Sequence, residues 1–202
     1  MRFLFTLGLS FCLTGVLSGC TSGPKDPVVI LDTTAGEIEI TLYPEAAPIS
    51  TADFLRYVDN GLYDAQGFYR TVRPDNDPRA MGMSLIQGGR LDQEIIGDPI
   101  EHELTTDTAI SNRDGAVSIA RLEPGSGSAA YFFINIGNND FLDTGGTRNP
   151  DGQGYATFGR VTEGLDIARA IQAMETSAAS DDAVTQGQIL KEPVTIKRAY
   201  RQ

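Results

Sequence analysis

Cysteine, histidine and tryptophan are nearly missing from this chain, which holds two, one and none of them in 202 residues. Each absence removes a class of chemistry. Cys12 lies in an apolar N-terminal stretch expected to be cut away, so Cys20 is the only thiol of the mature chain. Such a chain has no disulfide and no Cys-ligated metal, and its core alone must stabilise it. The one histidine, His102, sits between Glu101 and Glu103 and reads as a partly exposed side chain in an extended segment. Metal sites usually need more nitrogen and sulfur ligands than that. No serine occupies a Gly-x-Ser-x-Gly elbow, and one histidine gives a catalytic triad little to draw on. No metal and no cofactor is expected. Positive charge is also scarce: 16 basic residues face 27 acidic ones, a net charge of −11. Without Arg2 the balance is 15 against 27, or −12. There is no basic patch to track phosphates, so neither nucleic acid nor a polybasic membrane contact is expected.

Two motifs fail on their surroundings. Gly125-Ser126-Gly127-Ser128-Ala129-Ala130 has the spacing of a dinucleotide loop. That loop needs a strand before it and a helix after it, whereas here Pro124 precedes and the strand-like Tyr131-Phe132-Phe133-Ile134 follows. Asp75-Asn76-Asp77 and Asn149-Pro150-Asp151-Gly152 lack the spacing of a calcium loop and read as turns.

What is present starts with the N-terminus. Phe3 to Leu17 is almost wholly apolar or small and follows a single positive charge at Arg2. At 15 residues it is short of the ~20 that a membrane-spanning helix needs, and it reads as a secretory segment. It ends in Leu17-Ser18-Gly19-Cys20, which resembles the bacterial lipobox. The resemblance implies cleavage before Cys20 and acylation of that cysteine. The expected organisation is therefore a lipoprotein signal peptide over 1–19, a lipidated Cys20 with a polar tether over 20–27, and one domain over 28–202. Thr21 is not the Asp of an inner-membrane retention signal. The expected location is the cell envelope, anchored by lipid to the outer membrane and facing the periplasm.

The domain reads as mainly β. Glu37-Ile38-Glu39-Ile40-Thr41-Leu42 alternates polar and apolar residues, and Thr33-Thr34-Ala35-Gly36 before it is a hairpin signal. Strands are expected near 28–32, 37–42, 68–72, 84–89, 115–120, 131–136, 156–161 and 193–200. One helix is expected from Pro48 to about Asn60, with Ala52, Leu55 and Val58 on one face and Gly61 ending it. A second is expected from Glu163 to Met174, with Thr162 as N-cap. Ser177 to Gly187 reads as a surface loop. Many short strands with two helices predict a closed or sandwiched antiparallel fold.

Phe68-Tyr69-Arg70 followed by Leu85-Ile86-Gln87-Gly88-Gly89 resembles the cyclophilin family of peptidyl-prolyl cis-trans isomerases. Further pieces follow the family order: Leu42 to Pro48, Ser118-Ile119-Ala120-Arg121, Phe132-Phe133-Ile134-Asn135, Asp140-Phe141-Leu142-Asp143 and Phe158-Gly159-Arg160-Val161. The match spans roughly 28–200. It implies a closed eight-stranded antiparallel β-barrel capped by two α-helices. It also implies catalysed rotation of Xaa-Pro bonds in proline-containing polypeptides, by a monomer assisting the folding of exported proteins. Carried over residue by residue, Arg70 is the catalytic donor and Gln87 binds the substrate backbone. Phe133, Leu142 and Leu85 form the proline pocket. Ala120 and Arg121 line the groove before the proline, and Phe68, Tyr131, Phe141 and Tyr155 complete the substrate-binding set. Ser84 stands where the family has a pocket Phe, and Tyr131 where it has Gln. Residues 73–83 replace a short link, and Met81 or Met83 is the expected filler of the open wall. A second reading of the same residues is a peptide-binding or chaperone module with weak or no isomerase activity.

Overall fold

The computed structural model describes residues 26–92, 94–177 and 183–202. The expected signal segment, Cys20, most of the expected tether and part of the expected 177–187 loop lie outside the described residues. Eight strands form one closed antiparallel barrel. In chain order they are β1 (Val28–Thr33), β2 (Gly36–Leu42), β3 (Gly67–Val72), β4 (Leu85–Gly89), β5 (Ala116–Ile119), β6 (Tyr131–Asn135), β7 (Thr157–Glu163) and, after a two-residue β8 (Thr176–Ser177), the long β9 (Ile189–Arg201). Neighbours run β1-β2-β7-β5-β6-β4-β3-β9, and β9 pairs back onto β1 to close the ring. The helices are α1 (Pro48–Asp59), the single turn α2 (Thr105–Thr108) and α3 (Leu165–Gln172).

Alternation sets the barrel interior. Ile38, Ile40 and Leu42 are fully buried while Glu37 points outward, as period-two patterning requires. Phe54 of α1 lies 5.0–5.4 Å, centroid to centroid, from Tyr63, Phe132 and Phe158. That places α1 as a lid on one end of the barrel. Its buried face overlaps the expected one at Val58 and the half-buried Leu55 but is rotated from it. Phe54, Tyr57 and Val58 are buried, but Ala52 is exposed and Asp53 takes an inward place. The Asp53 carboxylate accepts from the Ala129 backbone N–H (2.8 Å), from Ser128 Oγ (3.2 Å) and from Arg56 Nε (3.0 Å). It ties α1 to the turn that launches β6. No side chain of the N-terminal turn caps α1; Glu103 does so from afar, accepting from the backbone N–H groups of Ile49 (2.9 Å) and Ser50 (2.8 Å).

Two boundaries differ from expectation. Thr162 and Glu163 stay in β7, because Glu163 still pairs with Glu39 of β2. The α3 N-cap is instead Gly164 at φ 80°, where an added Cβ would meet the Glu37 carbonyl oxygen at 2.3 Å. α3 buries Ala168 and Ile171, one turn apart on its inner face. The last strand starts at Ile189 rather than near 193. It pairs with β3 at Val194 and Thr195 and again at Ile189, jumping past Pro193, which cannot donate to a ladder.

Candidate active site

A second apolar cluster lies outside the barrel. Val72, Met83, Leu85, Phe133 and Leu142 are buried together, with Ala120, Phe141 and Tyr155 packed against them. It belongs to an open groove of about 860 Å³ whose lining includes Tyr69, Arg70, Gln87, Ala120, Tyr131 and Tyr155. Phe133 and Gln87 face each other across the β4–β6 ladder, so the barrel wall itself sets their spacing. Phe132, one residue away, turns into the barrel core, where its ring meets Phe54, Tyr63 and Phe68. The Tyr155 ring stands edge-on to Phe133 at 5.3 Å.

A bulge aims Arg70 into this groove. In a regular strand Tyr69 and Arg70 would point to opposite faces. The register of β3 slips between Phe68 and Arg70 against both β4 and β9, and both Tyr69 and Arg70 then line the groove. Arg70 Nη1 donates to Gln87 Oε1 at 2.8 Å, while Nε and Nη2 donate to Gln188 Oε1 at 2.9 and 2.6 Å. Gln87 Nε2 donates to the Tyr69 hydroxyl at 2.8 Å. The guanidinium is thus oriented from two sides beside an apolar pocket. Burial pushes the Tyr69 phenol up to about 12, so it stays neutral.

The long 73–83 segment supplies the missing pocket wall. The buried Asp77 carboxylate accepts backbone N–H bonds from Arg79 (3.1 Å), Met81 (2.9 Å) and Met83 (3.2 Å), curling the chain so that Met83 is buried in the apolar cluster. Asn76 Oδ1 accepts from the Arg73 N–H at 2.7 Å. The Asp75-Asn76-Asp77 stretch is therefore an ordered turn. Ser84 faces away, accepting from Gln172 Nε2 of α3 at 2.8 Å.

Two expected site residues, Phe68 and Phe141, lie off the groove, and a third, Arg121, lines it as expected but with its guanidinium engaged elsewhere. Phe68 is fully buried in the barrel core, because the bulge falls after it, and it does not fit a substrate contact. The Arg121 side chain is almost wholly buried and its guanidinium is committed: Nη1 and Nη2 clasp the Asp151 carboxylate at 2.9 Å each, and Nε donates to the Gly154 carbonyl. The Arg121 bonds, joined by the Gln153 N–H, hold the Asp151 carboxyl down at about 2. Arg121 clamps the 149–154 loop rather than offering charge to a ligand. Phe141 packs behind the apolar cluster without facing the groove. Leu85, Leu142, Ala120, Tyr131 and Tyr155 do line it. His102 lies outside it, half-buried, with Nε2 3.1 Å from the Gln153 carbonyl oxygen.

The match to known proteins follows this geometry. The family described as cyclophilin type peptidyl-prolyl cis-trans isomerase/CLD matches residues 28–200. This chain belongs to the cyclophilins. The peptidyl-prolyl cis-trans isomerase cyp18 of Streptomyces antibioticus is 36% identical over 154 residues, covering 74% of this chain and 86% of the relative. Peptidyl-prolyl cis-trans isomerase A of Dickeya dadantii is 34% identical over 152 residues, covering 73% of this chain and 72% of the relative. A cyclophilin-type isomerase of Cryptosporidium parvum shares the fold at a TM-score of 0.64 and 18% identity, with 88% of this chain and 98% of that one covered.

In this cyclophilin the groove depends on polar residues that pattern-reading passed over. Gln188 is fully buried, holds Arg70 by its amide oxygen and anchors its own Nε2 on the Asn76 carbonyl at 2.8 Å. It follows the small, polar 177–187 stretch, which carries no periodic signal. Asn112 donates from Nδ2 to Asp143 Oδ1 and to the carbonyls of Leu142 and Tyr155, fixing two pocket walls. The Gln-Gly-Gly run is explained by crowding: an added Cβ on Gly88 would meet the Phe68 ring at 2.7 Å, and one on Gly89 the Ala130 carbonyl oxygen at 2.0 Å.

Proposed function

We propose that this cyclophilin isomerises Xaa-Pro bonds of exported polypeptides and assists their folding, held as a monomer at the outer membrane through a lipid on Cys20. The observation that carries the catalytic part is the placement of the Arg70 guanidinium, braced by Gln87 and Gln188, on the groove that holds Phe133, Leu142, Met83 and Leu85. Rotation about a peptide bond costs about 18–20 kcal/mol because resonance is lost. In the twisted amide the proline nitrogen becomes pyramidal and gains a lone pair. A guanidinium fixed beside it donates to that lone pair, which the planar ground state does not offer. Such a bond stabilises only the transition state and so accelerates the reaction. The apolar cluster receives the pyrrolidine ring, and Gln87 binds the substrate backbone.

No group in this scheme changes charge near neutrality. Arginine remains protonated, and burial raises the Tyr69 and Tyr131 phenols above their ordinary range. The turnover of a proline peptide, kcat/KM, is therefore expected to be flat from about pH 6 to 9. A bell-shaped profile would assign the chemistry to a titrating acid or base instead.

The Leu-Ser-Gly-Cys sequence and the polar tether after it support the anchor. Cys20→Ser is expected to move the protein from the membrane pellet to the soluble fraction on cell fractionation. A mutant that still sediments with membranes would overturn the lipid reading.

One observation favours the second reading, a binding module that grips chains with little turnover. Leu122, 90% exposed, lines the groove as do the exposed Leu91 and Ile95, and these side chains offer apolar surface to unfolded segments. A cis-to-trans assay on an Xaa-Pro peptide separates the two: binding without acceleration would favour the module.

A further inference from the structure

Arg148 is a charged groove residue whose chemistry the isomerase scheme leaves unused. It sits in the long connection between Leu142 and Tyr155, lines the groove beside both, and is 7% exposed. Among the described residues, neither Nε nor Nη1 has a hydrogen-bond acceptor. Its hydrogen bonds are made by the backbone: its N–H donates to the Phe141 carbonyl at 3.2 Å, and its carbonyl accepts from Arg79 Nη1 at 2.7 Å. Two charged neighbours act on it in opposite senses, Arg79 as a second cation and Asp77 as an anion without a hydrogen bond to it, so the three together keep a net positive charge. The other groove arginines differ. Arg90 pairs with Asp92, Arg121 with Asp151, and Arg70 with the two glutamine oxygens. Burial lowers the affinity of the Arg148 guanidinium for its proton, and Arg79 adds to that effect while Asp77 opposes it.

Two buried guanidinium nitrogens without an acceptor are costly, because they have lost water and gained no hydrogen bond in return. The guanidinium's planar fork matches a carboxylate, which offers two oxygens and the missing negative charge. We propose that Arg148 selects substrates carrying an aspartate or glutamate close to the isomerised proline, by receiving that carboxylate at the wall of the proline pocket. The site is local: the protein as a whole carries a net charge of −11 and would otherwise repel acidic chains. Arg148 is here a specificity-determining residue, and the inference rests on the isomerase reading.

The test uses the purified full chain and pairs of proline peptides that differ only as Glu against Gln, at each of the two positions before and the two after the proline. At one of these positions the wild type is expected to favour Glu by about tenfold in kcat/KM, the size expected of a charge-assisted hydrogen bond. The ratio should fall to about one in Arg148→Met, and Arg148→Glu should turn it in favour of Lys over Gln. Because each ratio is taken on a single enzyme, partial misfolding of a variant cancels. Arg148→Lys, which keeps the charge but not the fork, should retain a smaller preference. Equal rates for Glu and Gln at all four positions, or a preference that persists in Arg148→Met, would overturn the proposal. Turnover of the Gln peptides by the wild type tests the isomerase reading separately.

Discussion

Arg70→Ala should lower kcat/KM for an Xaa-Pro peptide by about a hundred- to a thousandfold, the range seen when one preorganised donor to a developing charge is removed. The expectation rests on how firmly the guanidinium is held. Gln87 and Gln188 bond to it from two sides, and the bulge after Phe68 turns it toward the groove. Little orientational entropy is then left to lose when the amide twists. Arg70→Lys should recover only a small part, since an ammonium on a flexible stem keeps the charge but cannot match the fork. The alanine variant also strands the buried Gln188 oxygen, at a cost of about 1–3 kcal/mol. That is within the stability of a domain this size, so circular dichroism should show a folded protein with a lowered melting temperature. Wild-type and Arg70→Ala proteins that are equally slow would defeat the catalytic assignment.

The second large effect separates two neighbours on one strand. Phe132→Ala is expected to cost about 3–5 kcal/mol of folding stability, read as a fall in the denaturation midpoint, because it removes a buried ring that touches three others. Phe133→Ala should leave the barrel core intact and act on the groove. It removes a wall of the proline pocket and should lower kcat/KM by about 10- to 100-fold, from the 1.5–3 kcal/mol that burying an apolar ring provides. If Phe133→Ala proved the more destabilising of the pair, the division between barrel core and groove cluster would be wrong.

Much of the barrel was legible because its strands alternate. Glu37 to Leu42 declares its buried face in three isoleucine and leucine positions. Pro48 and Gly61 bracket α1 by their backbone chemistry. Legibility failed where a polar residue serves a distant partner. Asp53 and Glu103 look like surface acids, yet one holds the β6 turn and the other caps a helix 53 and 54 positions away in sequence. In the groove, ordered motifs marked Arg70, Gln87, Phe133 and Leu142. Nothing in the chain announced Gln188, whose partner Arg70 lies 118 residues earlier. The bulge was equally silent, since a one-residue slip between strands depends on both partners and leaves no mark on either. Met83 was half-visible: a gap in the pocket was evident from Ser84, and the segment able to fill it was adjacent.

The pairing of β9 with both β3 and β1 has a consequence for how the molecule is made. The N-terminal strand of the domain waits for the C-terminal one: Ile30 pairs with Tyr200, and the Gln202 N–H donates to the Val28 carbonyl. Until the last dozen residues emerge, the ring has an unsealed seam and two unpaired strand edges. Contacts this remote in sequence slow folding, because a loop spanning nearly the whole domain must close before they form. Sealing the barrel is therefore a late step of folding, and a domain without β9 keeps an open seam.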